Sequence, residues 1–411
     1  MKSKVKNIRE DRVISILYWV IALTSLVPLA CGYIMTGGII EEWIARVEEL
    51  SMGGARLFPT AAVYFKANVN DNALNSNLPF WGSALLFYLK NDMALTYRIT
   101  MLLIQVGTFL GARLFFITFF DKTDYGEQKA LFGILLYMTN PWRISISYER
   151  ADLSQTMAYM LLPFFAWAIC RLIYFKGNSG LYYLISALSL AGIGYTHVVF
   201  FGSMVLLLIT IIVMRKWYRG SLVLLMGSIL AMPGLMALIR YLKSDIYAIW
   251  ELRGQSIMPM GYQPAEFFLI FSHKEGHPGM GLGFMLCLGA LLWIKFVEGI
   301  KETDRRIVLY ECLFIVLAVM SLSCFPWEWT QRVSVIVLKS VGYIKTPGFF
   351  WGIACSSLCI PAGNACGRLA EVRGKKIATY FGVFVFVACI SLSVWQCNML
   401  TYTREPFIWQ K

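Results

Sequence analysis

Residues 181–214 read LYYLISALSLAGIGYTHVVFFGSMVLLLITIIVM and contain no Asp, Glu, Lys or Arg. An α-helix crosses the hydrocarbon core of a bilayer with about 20 apolar residues. The stretch therefore predicts two short crossings, 181–196 and 198–214, joined by a tight turn at His197. A β-barrel is excluded, because barrel strands alternate apolar and polar residues whereas this stretch is continuously apolar.

The composition of the whole chain agrees with this local pattern. Of 411 residues, 58% are hydrophobic and 15% are charged, and the mean hydropathy is +0.62. Soluble domains average about 45–50% apolar and about 25% charged residues, so this chain is too apolar for a soluble globular protein. It is also neither disordered, nor collagenous, nor a small disulfide scaffold.

Further apolar runs predict the remaining crossings. They lie at 13–35, 99–120, 130–148, 156–175, 220–241, 279–297, 307–324, 346–361 and 377–398. The apolar segment 78–89 (LPFWGSALLFYL) is too short for a normal crossing and predicts a re-entrant or interfacial helix. The predicted fold class is an all-α polytopic membrane protein with about 11 transmembrane helices and this one additional short helix.

The net charge of +13 comes from basic clusters that indicate how the chain is oriented in the membrane. It does not indicate nucleic-acid binding, so no nucleic-acid partner is expected. The basic residues form clusters between apolar runs, as the excess of Lys and Arg on the cytoplasmic side requires. The clusters are Lys2, Lys4, Lys6, Arg9 and Arg12; Arg215, Lys216 and Arg219; Lys301, Arg305 and Arg306; and Arg368, Arg373, Lys375 and Lys376.

Placing these clusters in the cytoplasm defines the domain organisation. Residues 1–12 become a basic cytoplasmic tail, so the amino terminus is cytoplasmic. Residues 13–400 form a single transmembrane domain, with outer loops at 36–98 and 242–278. Residues 401–411 become a short extracytoplasmic tail.

The first outer loop holds the first candidate site. Residues 41–50 read EEWIARVEEL, and their spacing is helical, with Glu42, Arg46 and Glu49 on one face. One interpretation is an amphipathic interfacial helix carrying ion pairs between residues four apart. The other is a carboxylate, Glu41 or Glu42, that acts as a general base or a metal ligand at the membrane surface.

The second candidate site is the polar segment YERADLSQ at 148–155, wedged between two apolar runs. Ionisable residues at membrane depth usually line a cavity or a substrate path. Arg150 suits a phosphate, because its planar guanidinium binds two oxygens at once. Asp152 could orient Arg150 or bind a metal. The alternative is an ordinary helix start with Asp152 or Ser154 as the N-cap.

Three further features leave more than one interpretation. His197, flanked by apolar residues, is either a packing residue or a catalyst. Trp327 belongs to an aromatic segment that suits either an interfacial belt or a wall for sugar rings and isoprenoid chains. His273 and His277 are close in sequence, but Gly276 and Pro278 argue against the helix that would bring them together. No metal site is therefore predicted.

The order of short motifs along roughly residues 10–400 carries a family resemblance. The motifs are the charged outer helix with Arg46, Phe58-Pro59, Asn72-Ala73-Leu74-Asn75 before Leu78-Pro79-Phe80-Trp81, Tyr97-Arg98, Tyr148–Gln155 before Pro163, Thr196-His197, Phe325-Pro326-Trp327, and Lys345-Thr346-Pro347 with Phe349-Phe350-Trp351. The chain resembles the bacterial polytopic membrane proteins labelled 6-pyruvoyl-tetrahydropterin synthase-related. These in turn resemble the GT-C class of integral-membrane glycosyltransferases.

The resemblance implies that a sugar passes from a polyprenyl-phosphate carrier to an acceptor outside the membrane. By position, Glu41 or Glu42 takes the acidic catalytic role and Arg46 the paired basic role. Arg150 with Asp152 forms the second polar motif. His197 and Trp327 match the family's histidine turn and aromatic–proline segment, and complete the expected substrate-binding set.

Two departures from the family pattern matter. Trp43 stands where the family has an outer-loop histidine, and Gln155 stands where the second motif ends in an acidic residue. Either the catalytic set has shifted to glutamates or this member has lost catalysis.

The leading hypothesis is a glycosyltransferase-like protein of the bacterial cytoplasmic membrane. Its donor is a polyprenyl-phosphate sugar, its acceptor a cell-envelope saccharide, and a divalent cation is left open as a cofactor. The alternatives are a flippase or transporter of a lipid-linked envelope precursor, and a non-catalytic scaffold that binds envelope-assembly proteins.

Overall fold

A computed structural model describes residues 2–30, 38–53, 77–121, 123–174, 179–243, 261–269, 278–299, 302, 304–327, 329 and 347–402. Helices make up most of these residues, and their only β-bridge is an isolated one between Tyr262 and Leu322. The all-α class predicted from the apolar runs is therefore confirmed for the described part of the chain.

Fifteen helices in the described residues are labelled here in chain order. They are α1 (Lys2–Thr24), α2 (Val27–Ala30), α3 (Gly38–Gly53), α4 (Trp81–Lys90), α5 (Met93–Phe120), α6 (Gly126–Met138), α7 (Pro141–Ile144), α8 (Leu153–Tyr174), α9 (Ser179–Thr196), α10 (Val198–Arg215), α11 (Gly220–Lys243), α12 (Leu282–Leu292), α13 (Arg305–Ser321), α14 (Gly348–Arg373) and α15 (Lys375–Tyr402). Helices α7 and α12 continue into π-turns at Ser145–Glu149 and Trp293–Val297. Short 3₁₀ turns lie at Leu78–Phe80 and Pro264–Phe268.

Among the described residues, five helices are long and apolar enough to cross a membrane: α5, α8, α10, α14 and most of α15. Shorter apolar helices occur at Val13–Thr24, Gly180–Thr196, Gly220–Met236 and Leu282–Val297. The chain is thus a multi-pass membrane protein, while the count of about 11 crossings stays a prediction. The predicted short helix at 78–89 corresponds to the turn at Leu78–Phe80 and to α4.

The first apolar run differs from its predicted form. Instead of one helix over 13–35, the structure has α1 running from Lys2 to Thr24, and then α2 after a turn at Ser25 and Leu26. Pro28 lies in the first turn of α2. Its missing N–H loses no hydrogen bond there, because the N–H groups of a first helical turn have no partner within the helix. The backbone of the predicted basic tail, residues 2–12, is accordingly helical.

The predicted crossing at 99–120 begins earlier than expected. The Oδ1 atom of Asp92 accepts a hydrogen bond from the Leu95 N–H at 2.9 Å, so α5 starts at Met93. An N-cap of this kind satisfies an N–H that the helix leaves unpaired. Tyr97 and Arg98 therefore lie in the first turns of α5, and the outer loop 36–98 stays a prediction.

The predicted crossing at 346–361 was too short. Pro361 lies inside α14, which continues for another 12 residues and is almost entirely enclosed by neighbouring helices. Its glycines allow this close packing: a Cβ on Gly363 would lie 2.8 Å from the carbonyl oxygen of Lys129 in α6. Tight packing on all sides holds a helix across a proline that would otherwise end it.

Contacts between helix termini show which of them lie together at one end of the bundle. Arg306 at the start of α13 donates to the Phe119 carbonyl near the end of α5, and Arg215 at the end of α10 donates to the hydroxyl of Tyr174 at the end of α8. Arg373 at the end of α14 pairs with Glu298. We call this the basic end. The opposite end, which carries Trp43, Tyr148, Arg150, His197 and Phe349, is called the motif end.

Candidate functional site

The motif end is built around a break in the predicted crossing 130–148. Helix α6 ends at Met138, and the side chain of Asn140 accepts a hydrogen bond from the Trp142 N–H at 3.0 Å. Pro141 then opens α7, a position that suits proline because no helical N–H partner is needed there. The predicted single helix is therefore two helical segments.

A π-turn and a left-handed residue lead from this break into the polar motif. The N–H of Arg150 donates to the Ser145 carbonyl at 2.9 Å, and the N–H of Asp152 donates to the Ile146 carbonyl at 2.9 Å. Between them Ala151 has a φ of 51°, a conformation that side chains other than glycine rarely adopt. Single π-turns and left-handed residues are frequent at functional sites.

Asp152 caps the next helix. Its Oδ1 atom accepts a hydrogen bond from the Gln155 N–H at 2.9 Å, so α8 begins at Leu153. The interpretation of Asp152 as an N-cap is therefore confirmed. The structure shows no ion pair between Asp152 and Arg150, and the expected roles of Asp152 in orienting Arg150 or binding a metal stay predictions.

The guanidinium of Arg150 lies over the ring of Phe349. Its side chain is half-buried, and its guanidinium carbon is 5.9 Å from the centre of the Phe349 ring, within the range of a cation–π contact. No carboxylate of the described residues forms an ion pair with it. A guanidinium in this setting keeps its donors available for an anion.

His197 contacts the same aromatic ring. The centre of its imidazole lies 4.9 Å from that of Phe349 and 5.0 Å from that of Phe200, both edge-on. It lies between α9 and α10, and its Nδ1 atom accepts from the Phe200 N–H at 3.5 Å. Burial, and then the charge of Arg150, lower the pKa of His197 to about 3. The geometry favours a neutral, packing histidine.

Arg46 takes a different position from the one its helical face predicted. The predicted helix over 41–50 is confirmed as part of α3, but the Arg46 side chain is fully buried, together with Trp43 and Val47. Its Nη1 atom donates to the Asn77 side-chain oxygen at 3.3 Å, and its guanidinium lies over the ring of Phe80. Arg46 therefore does not belong to an exposed charged stripe.

Helix α3 packs mainly against α4, and it shares a hydrophobic cluster with the polar motif. Trp43 and Val47 share one hydrophobic cluster with Tyr148, Ala151 and Leu153. The backbone at Glu41 and Glu42 lies in α3, whereas their side chains are outside the described residues. Helix α3 and the segment that carries Arg150 therefore contribute to the same hydrophobic cluster.

Trp327 is buried between two helix ends. Its ring stacks on Phe350 with centres 5.5 Å apart, and its indole N–H donates to the Met320 carbonyl at 3.1 Å. These contacts join the end of α13 to the start of α14. The ring therefore faces protein rather than lipid or an open sugar-binding surface.

Sequence reasoning missed Arg143, a second buried arginine at this end. Its guanidinium donates to the Met138 carbonyl at the end of α6 and to the side-chain oxygen of Gln105 in α5. A cation at a helix C-terminus is favourable because the last carbonyls are negative and unpaired. Arg143 could have been identified from the sequence as an arginine inside an apolar run, because such residues are costly at membrane depth.

Gln155 is the most unusual polar group of the motif. Its side chain is 0% exposed, and neither its amide oxygen nor its amide nitrogen hydrogen-bonds to any residue that the structure describes. A buried polar group without a partner costs about 1–3 kcal/mol. Such groups in native proteins need a specific explanation.

No group of three or more His, Cys, Asp and Glu side chains is placed to hold a metal ion within the described ranges. His273 and His277, which were considered as metal ligands because they are close in sequence, lie outside those ranges. The divalent cation therefore stays an open expectation.

No protein-family model matches this chain. No curated protein matches it either.

Proposed function

We propose that this chain is a glycosyltransferase-like protein of the bacterial cytoplasmic membrane, with its amino terminus and basic end in the cytoplasm. It would transfer a sugar from a polyprenyl-phosphate carrier to a cell-envelope saccharide at the motif end. The observation that carries the proposal is Arg150, a half-buried guanidinium over Phe349 that has no carboxylate partner among the described residues.

The chemistry of Arg150 suits the phosphate of a lipid carrier. A guanidinium can donate two parallel hydrogen bonds to phosphate oxygens. The neighbouring ring of Phe349 adds a cation–π contact and partial exclusion of water, which strengthens the interaction with an anion. With His197 neutral, Arg150 supplies the positive charge of this cluster.

The packing of α3 supports a base beside that phosphate. Glu41 and Glu42 belong to the helix whose Trp43 and Val47 share a hydrophobic cluster with Tyr148, Ala151 and Leu153. Either carboxylate would take the proton from the acceptor hydroxyl as the sugar is transferred. General-base catalysis contributes about 10²–10⁴ in rate, which sets the loss expected when the base is removed.

A second candidate function, a carrier or scaffold without catalysis, is favoured by two observations. Asp152 caps α8, and Gln155, which stands where the family that the chain resembles has an acidic residue, cannot act as a base. Such a protein would need Arg150 but not Glu41 or Glu42. The two functions therefore differ in what the glutamates do.

The test measures release of polyprenyl phosphate from a polyprenyl-phosphate sugar by the purified protein in lipid nanodiscs. We expect Glu41→Gln/Glu42→Gln to lower the rate by about 10²–10⁴. Glu48→Gln/Glu49→Gln, which removes two carboxylates from the same helix, should keep it within a few-fold. Equal rates in the first variant and the wild type would exclude this mechanism. Binding of the donor without turnover in the wild type would favour the non-catalytic function.

A further inference from the structure

The basic end contains a cleft that shares no residue with the Arg150 cluster. It lies between α8, α10, α13 and α14 and has a cavity volume of about 170 Å³. Its walls are predominantly apolar, with Leu162 and Phe165 from α8, Leu208 from α10, Leu313 from α13 and Ile353 from α14. Helices α10 and α13 do not pack closely against each other, so the cleft lies between them.

The depth of the cleft matches one leaflet of a bilayer. Its lining extends on α8 from Leu162 to Tyr174 and on α10 from Met204 to Arg215. At 1.5 Å per residue these segments are about 16–18 Å long. The hydrocarbon core of a bilayer is about 30 Å thick, so one leaflet is about 15 Å.

Three hydroxyl groups that line the cleft form hydrogen bonds within the protein. Ser356 and Ser357 donate to the carbonyls of Gly352 and Ile353 on their own helix, each at 3.0 Å. The hydroxyl of Tyr137 donates to the carbonyl of Tyr159 at 2.6 Å. A hydrocarbon chain could therefore lie against these groups without breaking a hydrogen bond.

The mouth of the cleft is cationic. Arg306 is neutralised by Asp304, with hydrogen bonds of 2.6–3.0 Å, and lies over the rings of Phe119 and Tyr174. Arg215 donates to the Tyr174 hydroxyl at 2.9 Å, and both Arg215 and Arg305 are exposed. Neither of these two arginines forms an ion pair within the described part of the chain.

We propose that this cleft binds an anionic phospholipid from the leaflet at the basic end. One acyl chain lies between α10 and α13, and the phosphate is bound by Arg215 and Arg305. The depth of a single leaflet favours an acyl chain over a polyprenyl chain, which is much longer. The charge of the mouth favours an anionic over a zwitterionic headgroup. This lipid site is independent of the proposed transfer reaction, because it uses different residues at the opposite end.

The charge of the mouth is tested in nanodiscs that contain phosphatidylcholine and phosphatidylglycerol. Native mass spectrometry counts the phosphatidylglycerol that the released protein retains. Arg215→Gln/Arg305→Gln should lower its preference for phosphatidylglycerol on the order of ten-fold. Lys216→Gln/Arg219→Gln removes the same charge beside the cleft and should leave the preference unchanged. Equal losses in both variants, or no loss in either, would overturn the proposal.

The apolar part of the cleft is tested with the charges intact. Ile211→Trp fills the cleft from the α10 side, whereas Val213→Trp places the same ring on an exposed position of the same helix. We expect only Ile211→Trp to lose the bound phosphatidylglycerol. Retention of the lipid by Ile211→Trp would contradict the binding mode, as would displacement of phosphatidylglycerol by an equimolar amount of polyprenyl phosphate.

Discussion

The guanidinium carbon of Arg150 lies 5.9 Å from the centre of the Phe349 ring, although the two residues are separated by about half of the chain. The contact joins the π-turn before α8 to the first turn of α14. His197, at the start of α10, contacts the edge of the same ring. Three segments that the sequence separates widely therefore meet at one aromatic side chain.

Replacing Ala151 by glycine should stabilise the protein. The φ of 51° at Ala151 brings its Cβ close to the following carbonyl, and glycine removes that clash. We expect the free energy of unfolding to rise by about 1 kcal/mol, measured by thermal unfolding in detergent. Ala166→Gly, in the interior of α8, should instead lower it by about the same amount. A loss of stability in both variants would show that the left-handed conformation at Ala151 carries no strain.

The stability of the protein should depend on the protonation of His197. The pKa is about 3 in the folded protein and about 6.5 in an unfolded chain, so the unfolded state binds more protons below pH 6.5. Stability should therefore fall as the pH drops through 6.5, by about 2 kcal/mol at pH 5. His197→Asn keeps an N-cap that does not titrate and should lose this part of the pH dependence. Identical pH profiles of unfolding for both proteins would contradict the burial of a neutral histidine.

Replacing either of two buried glutamines by methionine should change the free energy of unfolding, but in opposite directions. Gln155 has no hydrogen-bond partner among the described residues, so Gln155→Met should raise the free energy of unfolding by about 1 kcal/mol. Gln105 accepts a hydrogen bond from the buried Arg143, so Gln105→Met should lower it by about 1–3 kcal/mol. Chemical unfolding in detergent measures both. Destabilisation of both variants would indicate that the Gln155 amide has a polar partner.

Local features of the motif end were predictable from the sequence. The start of α8 at Asp152 and the turn at His197 depend on a polar residue beside a long apolar run, and such signals act over a few residues. Helices α9 and α10 lie within two residues of their predicted bounds for the same reason. Where the apolar run alone defines the helix, the sequence is sufficient to predict the bounds of the helix.

Features that depend on contacts between distant segments were not predictable. The bond between Arg143 and Gln105 spans 38 positions, and Pro361 stays within α14 because other helices enclose it. The burial of Arg46 involves contacts with Asn77 and Phe80, and Asn77 lies 31 positions further along the chain. The cleft at the basic end corresponds to no motif, because its walls are ordinary apolar residues from several helices.

The central claim is that Arg150 binds the phosphate of a lipid carrier, and direct binding tests it. Native mass spectrometry should detect polyprenyl phosphate on the wild-type protein purified in mild detergent, with added carrier where none co-purifies. Arg150→Gln should lose this lipid, and Arg150→Lys should retain it only weakly, because lysine cannot donate two parallel hydrogen bonds. Lys90→Gln, at the exposed end of α4, should bind it as the wild type does. Polyprenyl phosphate bound equally by the wild type and Arg150→Gln, or by neither, would contradict the claim.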